Sequence, residues 1–513
     1  MHGHAWQRMH FLLALVCLVP LAGCIRNQMY RAYPNGQVDV PPPAPVELDK
    51  HKAKAEGRAK ARAMRDEGQP EPKGKACKAE TIRETPCLAF VEFDELGEFW
   101  ERNPSGRPAQ LSNALRLIRE ARKRDPQTLV LVFVHGWKHN AASDPEDTNI
   151  TGFKAALESI HRTYTDESNT KHAVLGIYVS WRGGLISGAW PVAQQFSYFN
   201  RESTAIRVGN TSLTDALVEI SAEVQHMPLA GDTSPARLVM IGHSFGGLVL
   251  ERAISQAMIM FLEKQYQEQR DGSDKPVITQ PLANLLVFVN SAAGANEGKQ
   301  MMDYLASSHF AYEGPGHRAL PLILSVTSKT DSATGMIFKV GHGASWLGYW
   351  AQGSMRPKGA GPGDANAPSH DYARACFDPG NEQLTPRLFD MSQTGYYMTT
   401  TAHSAQLQSH VVTETPKSAG APPGNDCMTT SSAAGGPKTI MSCNLGQYTF
   451  TVSERQGRCN GTPYWAMEVP KELIPDHNTI FTGRLITFLT GFVAPVALEE
   501  KTPKLSRPAM AVQ

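Results

Sequence analysis

The feature that most constrains this chain is a glycine-flanked serine, Gly-His-Ser-Phe-Gly at 242–246, set between two regular elements. The apolar run at 237–241 before it is typical of a short buried strand. The segment after it, 248–261, has no Pro or Gly and carries apolar residues at helical spacing. Glycine on both sides of Ser244 permits a sharp strand-to-helix turn, because a Cβ there would collide with neighbouring chain. Such a turn lifts the Ser244 hydroxyl out of the sheet, in front of the helix N-terminus.

This strand, turn and helix around Ser244 resembles the nucleophile turn of the α/β-hydrolase superfamily of serine esterases and lipases. The resemblance implies a mostly parallel sheet, a Ser-acid-His triad in that chain order, and an oxyanion hole made by two backbone N–H groups. A purely structural Ser-Gly turn is the alternative, since Gly-x-Ser-x-Gly also occurs by chance.

Predicted strands and helices alternate from residue 87 onward, which indicates a doubly wound α/β sheet. We predict a first hairpin from 88–93 and 97–100. Further predicted strands are 128–134, 173–180, 237–241, 285–289, 322–326 and 464–469, and helices are predicted around 111–118, 153–160, 213–224, 248–261 and 480–489. The chain thus divides into a hydrolase-type domain over 81–500 and a short tail at 501–513.

The region 335–460 interrupts this alternation with long Gly-, Pro-, Ser- and Thr-rich stretches. We predict a loop-rich insertion or cap before the last strand, because so long a structureless segment is unusual in a compact core. Six cysteines remain besides Cys17 and Cys24, and in an exported chain they predict up to three disulfides among fifteen possible pairings. Two could close the entry of the domain and four could staple the insertion: Cys77, Cys87, Cys376, Cys427, Cys443 and Cys459. Their spacing fits no zinc pattern, so no metal is predicted.

Residues 1–23 predict a signal peptide, because Arg8 precedes an apolar run at 11–22 that is shorter than the roughly 20 residues of a permanent span. The run ends in Leu-Ala-Gly-Cys, which resembles the lipobox of bacterial lipoproteins. That resemblance implies lipidation of Cys24, and Ile25 in place of Asp favours the outer membrane. An ordinary secretory signal followed by a chance cysteine is the alternative.

Residues 24–80 predict a lipidated, flexible tether. A proline-rich stretch at 41–45 favours extended chain, and 50–78 alternates charged residues and alanine with almost no large apolar side chain. The basic residues of 50–65 could contact anionic lipid headgroups. A solvated linker explains them equally well. The net charge of +1 and the absence of any supporting motif argue against nucleic acid as a partner.

The acid of the implied triad should follow a late strand, and Asp331 comes shortly after 322–326. A helix-capping role is the alternative for Asp331, and Asp303 is the other candidate acid. The base should come last in the chain. His477 lies in a short loop between the last predicted strand and the last predicted helix, whereas His403, the second candidate, and also His370 and His410 fall in or next to the insertion.

The oxyanion hole implied by the resemblance would use the backbone N–H groups of Trp137 and Phe245. Trp137 follows His135-Gly136 at the end of the predicted strand 128–134, and Phe245 follows Ser244. We interpret His135 as a residue that orders this loop rather than as a base. Trp137 could line an acyl pocket or be a core aromatic residue.

These residues predict a cofactor-independent serine hydrolase that cleaves carboxylic ester or related acyl bonds through an acyl-enzyme. The substrate would be a small-molecule or lipid ester, and the membrane would be reached through the lipid anchor. Two alternatives remain: a lipase or acyltransferase acting at the membrane, and an inactive hydrolase-fold binding protein. For the first, apolar residues of 337–350 could form a lid. A buried helix is the favoured interpretation of that segment.

Overall fold

The computed structural model describes the following parts of the chain: residues 29–31, 81–142, 148–164, 171–184, 191–226, 236–269, 277–279, 281–293, 301, 304–305, 310–314, 318–331, 410–418, 424–429, 439–454 and 462–497. The protein is a mixed α/β structure built on one large sheet. Cys24, the signal peptide, most of the predicted tether, the predicted lid 337–350 and the C-terminal tail lie outside the described residues.

Eleven of the thirteen described strands form this sheet, and the other two make a small separate hairpin. The strands are β1 (Cys87–Glu92), β2 (Leu129–Val134), β3 (Val174–Ser180), β4 (Arg237–His243), β5 (Leu285–Val289), β6 (Glu313–Gly314), β7 (Arg318–Ala319), β8 (Ile323–Ser328), β9 (His410–Pro416), β10 (Gly424–Thr429), β11 (Thr439–Gly446), β12 (Tyr448–Glu454) and β13 (Tyr464–Val469). The order across the large sheet is β1-β3-β2-β4-β5-β8-β13-β9-β12-β11-β10.

The first eight strands in this order, β1 to β9, are parallel to their neighbours, and the last three pairings are antiparallel. The central strands are continuous apolar runs because both faces of the sheet are covered. The helices are α1 (Ala109–Arg124), α2 (Thr148–Thr163), α3 (Pro191–Gly209), α4 (Ser212–Ser221), α5 (Phe245–Gln269) and α6 (Gly483–Ala497). One core lies under α1, α4 and α5, and the second lies under α2 and α6 on the opposite face.

Within the described residues, α5 is the one helix whose length and apolar composition would allow it to cross a membrane. Most of its apolar window is buried in the first core. This burial is what a core helix packed on a sheet shows, and composition alone does not distinguish the two cases.

The predicted first hairpin is wrong. β1 pairs in parallel with β3, and only an isolated antiparallel bridge joins Phe93 to Phe99. The Asp94 carboxylate accepts hydrogen bonds from the backbone N–H groups of Leu96 and Glu98 at 2.8 and 2.9 Å. This local turn satisfies the backbone that a second strand would have used.

The prediction of a loop-rich insertion is wrong for residues 410–454, because β9 to β12 extend the sheet there. Alternate side chains of these strands are buried against α6, as the period of two in a strand covered on one face requires. Cys427 and Cys443 form a disulfide across directly paired positions of β10 and β11. Cys87 is also disulfide-bonded, whereas Cys77, Cys376 and Cys459 lie outside the described residues.

The buried side chain of His410 should make the stability of the fold depend on pH. His410 stacks on Trp465 with ring centroids 4.2 Å apart, and burial lowers its pKa to about 3. Below pH 6.5, His410 is protonated in the unfolded chain but stays neutral in the folded chain. The free energy of unfolding therefore falls as the pH falls. His410 alone changes the free energy of unfolding by about 1.4 kcal/mol per pH unit between pH 6.5 and about 3.

His410→Phe is expected to remove that share of the slope while keeping a ring against Trp465. Urea unfolding of both proteins at several pH values from 7.5 to 5 measures the effect. The two curves should run parallel above pH 7 and diverge below 6.5. Parallel curves over the whole range would contradict a neutral His410 in the folded state.

Candidate active site

Ser244 occupies the sharp turn between β4 and α5, with a φ of 56°, in the left-handed region that side chains other than glycine rarely adopt. The turn is held by backbone hydrogen bonds: the Ser244 N–H donates to the Val289 carbonyl, and the Ala292 N–H donates to the Ser244 carbonyl. Gly246 permits the close packing of the turn, because a Cβ there would lie 2.1 Å from the Val134 carbonyl oxygen. A strained, over-determined serine of this kind is typical of a functional position.

His477 links Ser244 to Asp331. Its Nε2 atom lies 2.7 Å from Ser244 Oγ, and its Nδ1 atom lies 2.9 Å from both carboxylate oxygens of Asp331. The Asp331 side chain is 1% exposed and the His477 side chain 15% exposed. The structure therefore brings together the three side chains that the sequence analysis named, although they are 87 and 146 residues apart along the chain.

The hydrogen bonds define the protonation pattern of this chain of residues. A carboxylate only accepts, so His477 Nδ1 carries a hydrogen and donates a hydrogen bond to Asp331. In the neutral imidazole, His477 Nε2 then holds a lone pair directed at the Ser244 hydroxyl. This is the arrangement in which an imidazole can take a proton from an attacking serine.

Two buried side chains, His243 and Asn290, hold the loop that carries His477 through its backbone. The carbonyl oxygen of His477 lies 2.8 Å from His243 Nε2 and accepts a hydrogen bond from Asn290 Nδ2 at 3.1 Å. Because a carbonyl only accepts, His243 must carry its proton on Nε2. Burial, together with the neighbouring His477, holds the pKa of His243 well below its usual range. His243 is thus a neutral donor that fixes the position of the base.

Asn290 also connects the loop of the base to the loop of the acid. It follows β5 with a φ of 45° and is fully buried, and its Oδ1 accepts the backbone N–H of Ser328 at 2.9 Å. Ser328 Oγ donates to the Ile474 carbonyl at 2.7 Å, and Thr330 Oγ1 donates to the Pro475 carbonyl at 2.7 Å. Asn290 was not among the residues predicted from the sequence. Its only signal was an amide residue directly after a predicted buried strand.

The loop after β2 passes directly over the serine. β2 and β4 are neighbours, with Val134 paired to Gly242, so Gly136 comes to lie beside Ser244. A Cβ on Gly136 would be 2.7 Å from Ser244 Cβ and 3.3 Å from Ser244 Oγ. Of the two predicted oxyanion-hole residues, Phe245 directly follows the serine and Trp137 directly follows Gly136, and their rings lie 6.5 Å apart. Phe245 is also the first residue of α5, where backbone N–H groups have no partner within the helix.

His135 orders this loop. Its Nδ1 donates to the Gly136 carbonyl at 2.9 Å, while its Nε2 accepts the backbone N–H of Trp181 at 3.2 Å. The indole N–H of Trp181 returns a hydrogen bond to the His135 carbonyl at 3.0 Å. Both ring nitrogens of His135 are hydrogen-bonded and the residue is fully buried, so it contributes to loop geometry rather than to proton transfer.

The other candidate residues are placed differently. His410 is in the core at the start of β9, stacked on Trp465 and four strands away from β4 in the sheet. His370, His403 and Asp303 lie outside the described residues, as does Cys24.

The contact between Gly136 and Ser244 makes a prediction. Gly136→Ala should lower kcat by on the order of 10²-fold, because either the loop or the serine must shift by a large fraction of an ångström. Gly483→Ala is the matched control, since a Cβ at Gly483 has no neighbour within 4 Å. Steady-state kinetics on a soluble ester, with melting curves of both variants, makes the comparison. Equal kcat for the two variants would contradict the close approach.

Comparisons with known proteins add little to this geometry. No protein-family model matches the chain, and no curated protein gives a significant match. Two solved structures align with part of it. The phospholipase PlaB from Legionella pneumophila in complex with thio-NAD is 12% identical over 39% of this chain and 37% of that chain, with a TM-score of 0.17. The Tle1 effector bound to the VgrG spike from the Type 6 secretion system is 12% identical over 40% and 45%, with a TM-score of 0.17. The chain spans less than half the length of either protein, and TM-scores this low carry no argument.

Proposed function

We propose that the protein is a serine hydrolase of the α/β-hydrolase type that cleaves carboxylic ester or related acyl bonds. The observation that carries the proposal is the hydrogen-bonded chain from Ser244 Oγ through His477 to the buried Asp331. A serine in a strained turn, a base with its lone pair on the hydroxyl, and a carboxylate on the far ring nitrogen are the three parts of nucleophilic acyl transfer.

In the proposed reaction, Ser244 Oγ attacks the substrate carbonyl carbon while His477 Nε2 takes the serine proton. Asp331 stabilises the imidazolium and holds the ring in the productive tautomer. The developing oxyanion would be bound by the backbone N–H groups of Trp137 and Phe245. His477 then donates its proton to the leaving alcohol, which departs and leaves an acyl-enzyme. Water, activated by His477, releases the acid. No cofactor takes part in this scheme.

A chain-length series of p-nitrophenyl esters, with and without detergent micelles, tests this function. We expect saturable hydrolysis of soluble esters. A rise in hydrolysis rate above the critical micelle concentration would favour the lipase alternative within the same mechanism. Ser255→Ala serves as a control, because Ser255 lies on α5 and its hydroxyl bonds only to the helix carbonyl of Glu251. Absence of hydrolysis for every ester of the series would favour a catalytically inactive binding protein.

We also propose that Cys24 is acylated and holds the protein at the outer membrane, on the strength of the lipobox-like Leu-Ala-Gly-Cys sequence. Bacterial lipoproteins carry more than one acyl chain, which stable anchoring requires. The protein should then partition into detergent on phase separation, and Cys24→Ser should be soluble or unprocessed. A mature N-terminus at another residue, without lipid mass, would remove the anchor from the account.

A further inference from the structure

Three residues from the N-terminal region, 29–31, are packed on the catalytic domain although the sequence predicts a flexible tether there. The backbone N–H groups of Tyr30 and Arg31 donate to the two carboxylate oxygens of Glu92, at 2.9 and 2.7 Å. Arg31 Nε donates to the Ala141 carbonyl at 2.8 Å. Its guanidinium lies over the ring of Phe90, 4.6 Å from the centroid. Arg31 is only 6% exposed.

The receiving surface is itself buried and polar. Glu92 is 3% exposed, and the Gln110 amide connects it to the segment by donating both to Glu92 Oε1 and to the Arg31 carbonyl, at 3.1 and 2.9 Å. A buried carboxylate is costly unless it is hydrogen-bonded, so Glu92 depends on the two N–H groups that the segment supplies. Four hydrogen bonds and a cation–π contact therefore hold residues 29–31, which we call the N-terminal clamp.

The clamp lies at the edge of the sheet that carries the active site. Glu92 is the last residue of β1, and Ala141 belongs to the loop after β2 that also carries Trp137. Both positions lie at the carboxyl-terminal edge of the parallel strands, as Ser244 does. β1 is three strands away from β4 in the sheet, so the clamp is displaced sideways from the serine by about 15 Å.

We propose that the N-terminal clamp turns the mouth of the active site toward the membrane, so that the substrates are acyl esters of membrane lipids. This inference rests on the proposed hydrolase activity and on the proposed anchor at Cys24. Tyr30 is six residue steps along the chain from Cys24, a stretch that can span at most about 20 Å. Only residues 24–30 then connect the lipid to the domain, and we call this stretch the leash. The rest of 24–80 follows the clamp and does not set the distance between membrane and domain.

Two insertion variants distinguish a clamped domain from a freely tethered one. Twelve Gly/Ser residues placed between Gln28 and Met29 lengthen the leash from lipid to clamp. The same insertion between Asp49 and Lys50 leaves that leash unchanged. Full-length anchored protein in vesicles is assayed on a fluorogenic phospholipid in the bilayer and on a soluble p-nitrophenyl ester.

The first insertion is expected to lower the vesicle rate about fivefold, because effective concentration falls roughly as the −3/2 power of leash length, here tripled. The second insertion should leave it unchanged, and neither should alter the rate on the soluble ester. In an Arg31→Ala background, where the clamp is weakened, the two insertions should have the same effect, because both then lengthen the same tether. Equal vesicle rates for the two insertions in the parent protein would overturn the proposal.

A distance measurement gives an answer that does not depend on activity. A fluorophore on Asn478→Cys marks the catalytic edge, and one on Lys123→Cys marks the opposite edge; both positions are exposed. Brominated lipids should quench the first more strongly, and the Gln28–Met29 insertion should abolish the difference. Equal quenching at both positions overturns the clamp proposal. If the quenching is as expected but no variant hydrolyses the soluble ester, the hydrolase function fails and the clamp stands.

Discussion

Ser244→Ala and His477→Ala are each expected to lower kcat for ester hydrolysis by about 10⁶-fold, and the double variant by little more. The reason is that His477 Nε2 acts on the Ser244 hydroxyl, 2.7 Å away, so that removal of either partner disables the same step. Residual activity would come from substrate binding and oxyanion stabilisation alone. Initial rates on a soluble ester for the two single variants and the double variant measure the coupling.

Two controls keep this result interpretable. Ser255→Ala should retain parental kcat, because the Ser255 hydroxyl donates to the Glu251 carbonyl within its own helix. Melting curves of all variants should show that Ser244→Ala remains folded. Multiplicative losses in the double variant would mean that the two residues act in separate steps, which contradicts a single catalytic unit.

Asp331→Asn is expected to lower kcat by roughly 10⁴-fold with little effect on KM. An asparagine amide would donate to His477 Nδ1, which would then have to be the unprotonated nitrogen. The proton would move to Nε2, which faces Ser244 and could no longer accept the hydroxyl proton. The substitution keeps the size of a side chain that is only 1% exposed, so packing is preserved. Michaelis–Menten kinetics on the soluble ester series measures the split between kcat and KM.

The capping role that the sequence left open for Asp331 leads to a different result. A residue that only caps a turn would lose stability on substitution and leave kcat nearly unchanged. Parental kcat in folded Asp331→Asn would therefore remove the carboxylate from the proposed mechanism.

Much of the parallel core could be predicted because its signals are local. The boundaries of β5 and β13 match the predicted runs, since short apolar segments between polar turns have few alternatives in a doubly wound sheet. The turn at Ser244 could be located for the same reason, because glycine spacing determines what the backbone can do there.

Long-range contacts explain what could not be predicted. β9 to β12 alternate apolar and polar residues, but the Gly- and Ser-rich segments around them hid this period of two. The docking of Arg31 depends on Glu92 and Ala141, which are 61 and 110 residues away, and no local pattern reports such a contact. Asn290 is a further case, because its role depends on the distant carbonyl of His477.

The most direct test of the central claim is labelling with a fluorophosphonate probe followed by peptide mapping. The probe phosphonylates a serine hydroxyl only where a neighbouring base and an oxyanion hole activate it, so labelling reports the assembled site and does not require the natural substrate. The account predicts modification of the Ser244 peptide alone, loss of labelling in Ser244→Ala and His477→Ala, and unchanged labelling in Ser255→Ala. Undiminished labelling of Ser244→Ala, or modification of a different serine in the parent protein, would contradict it.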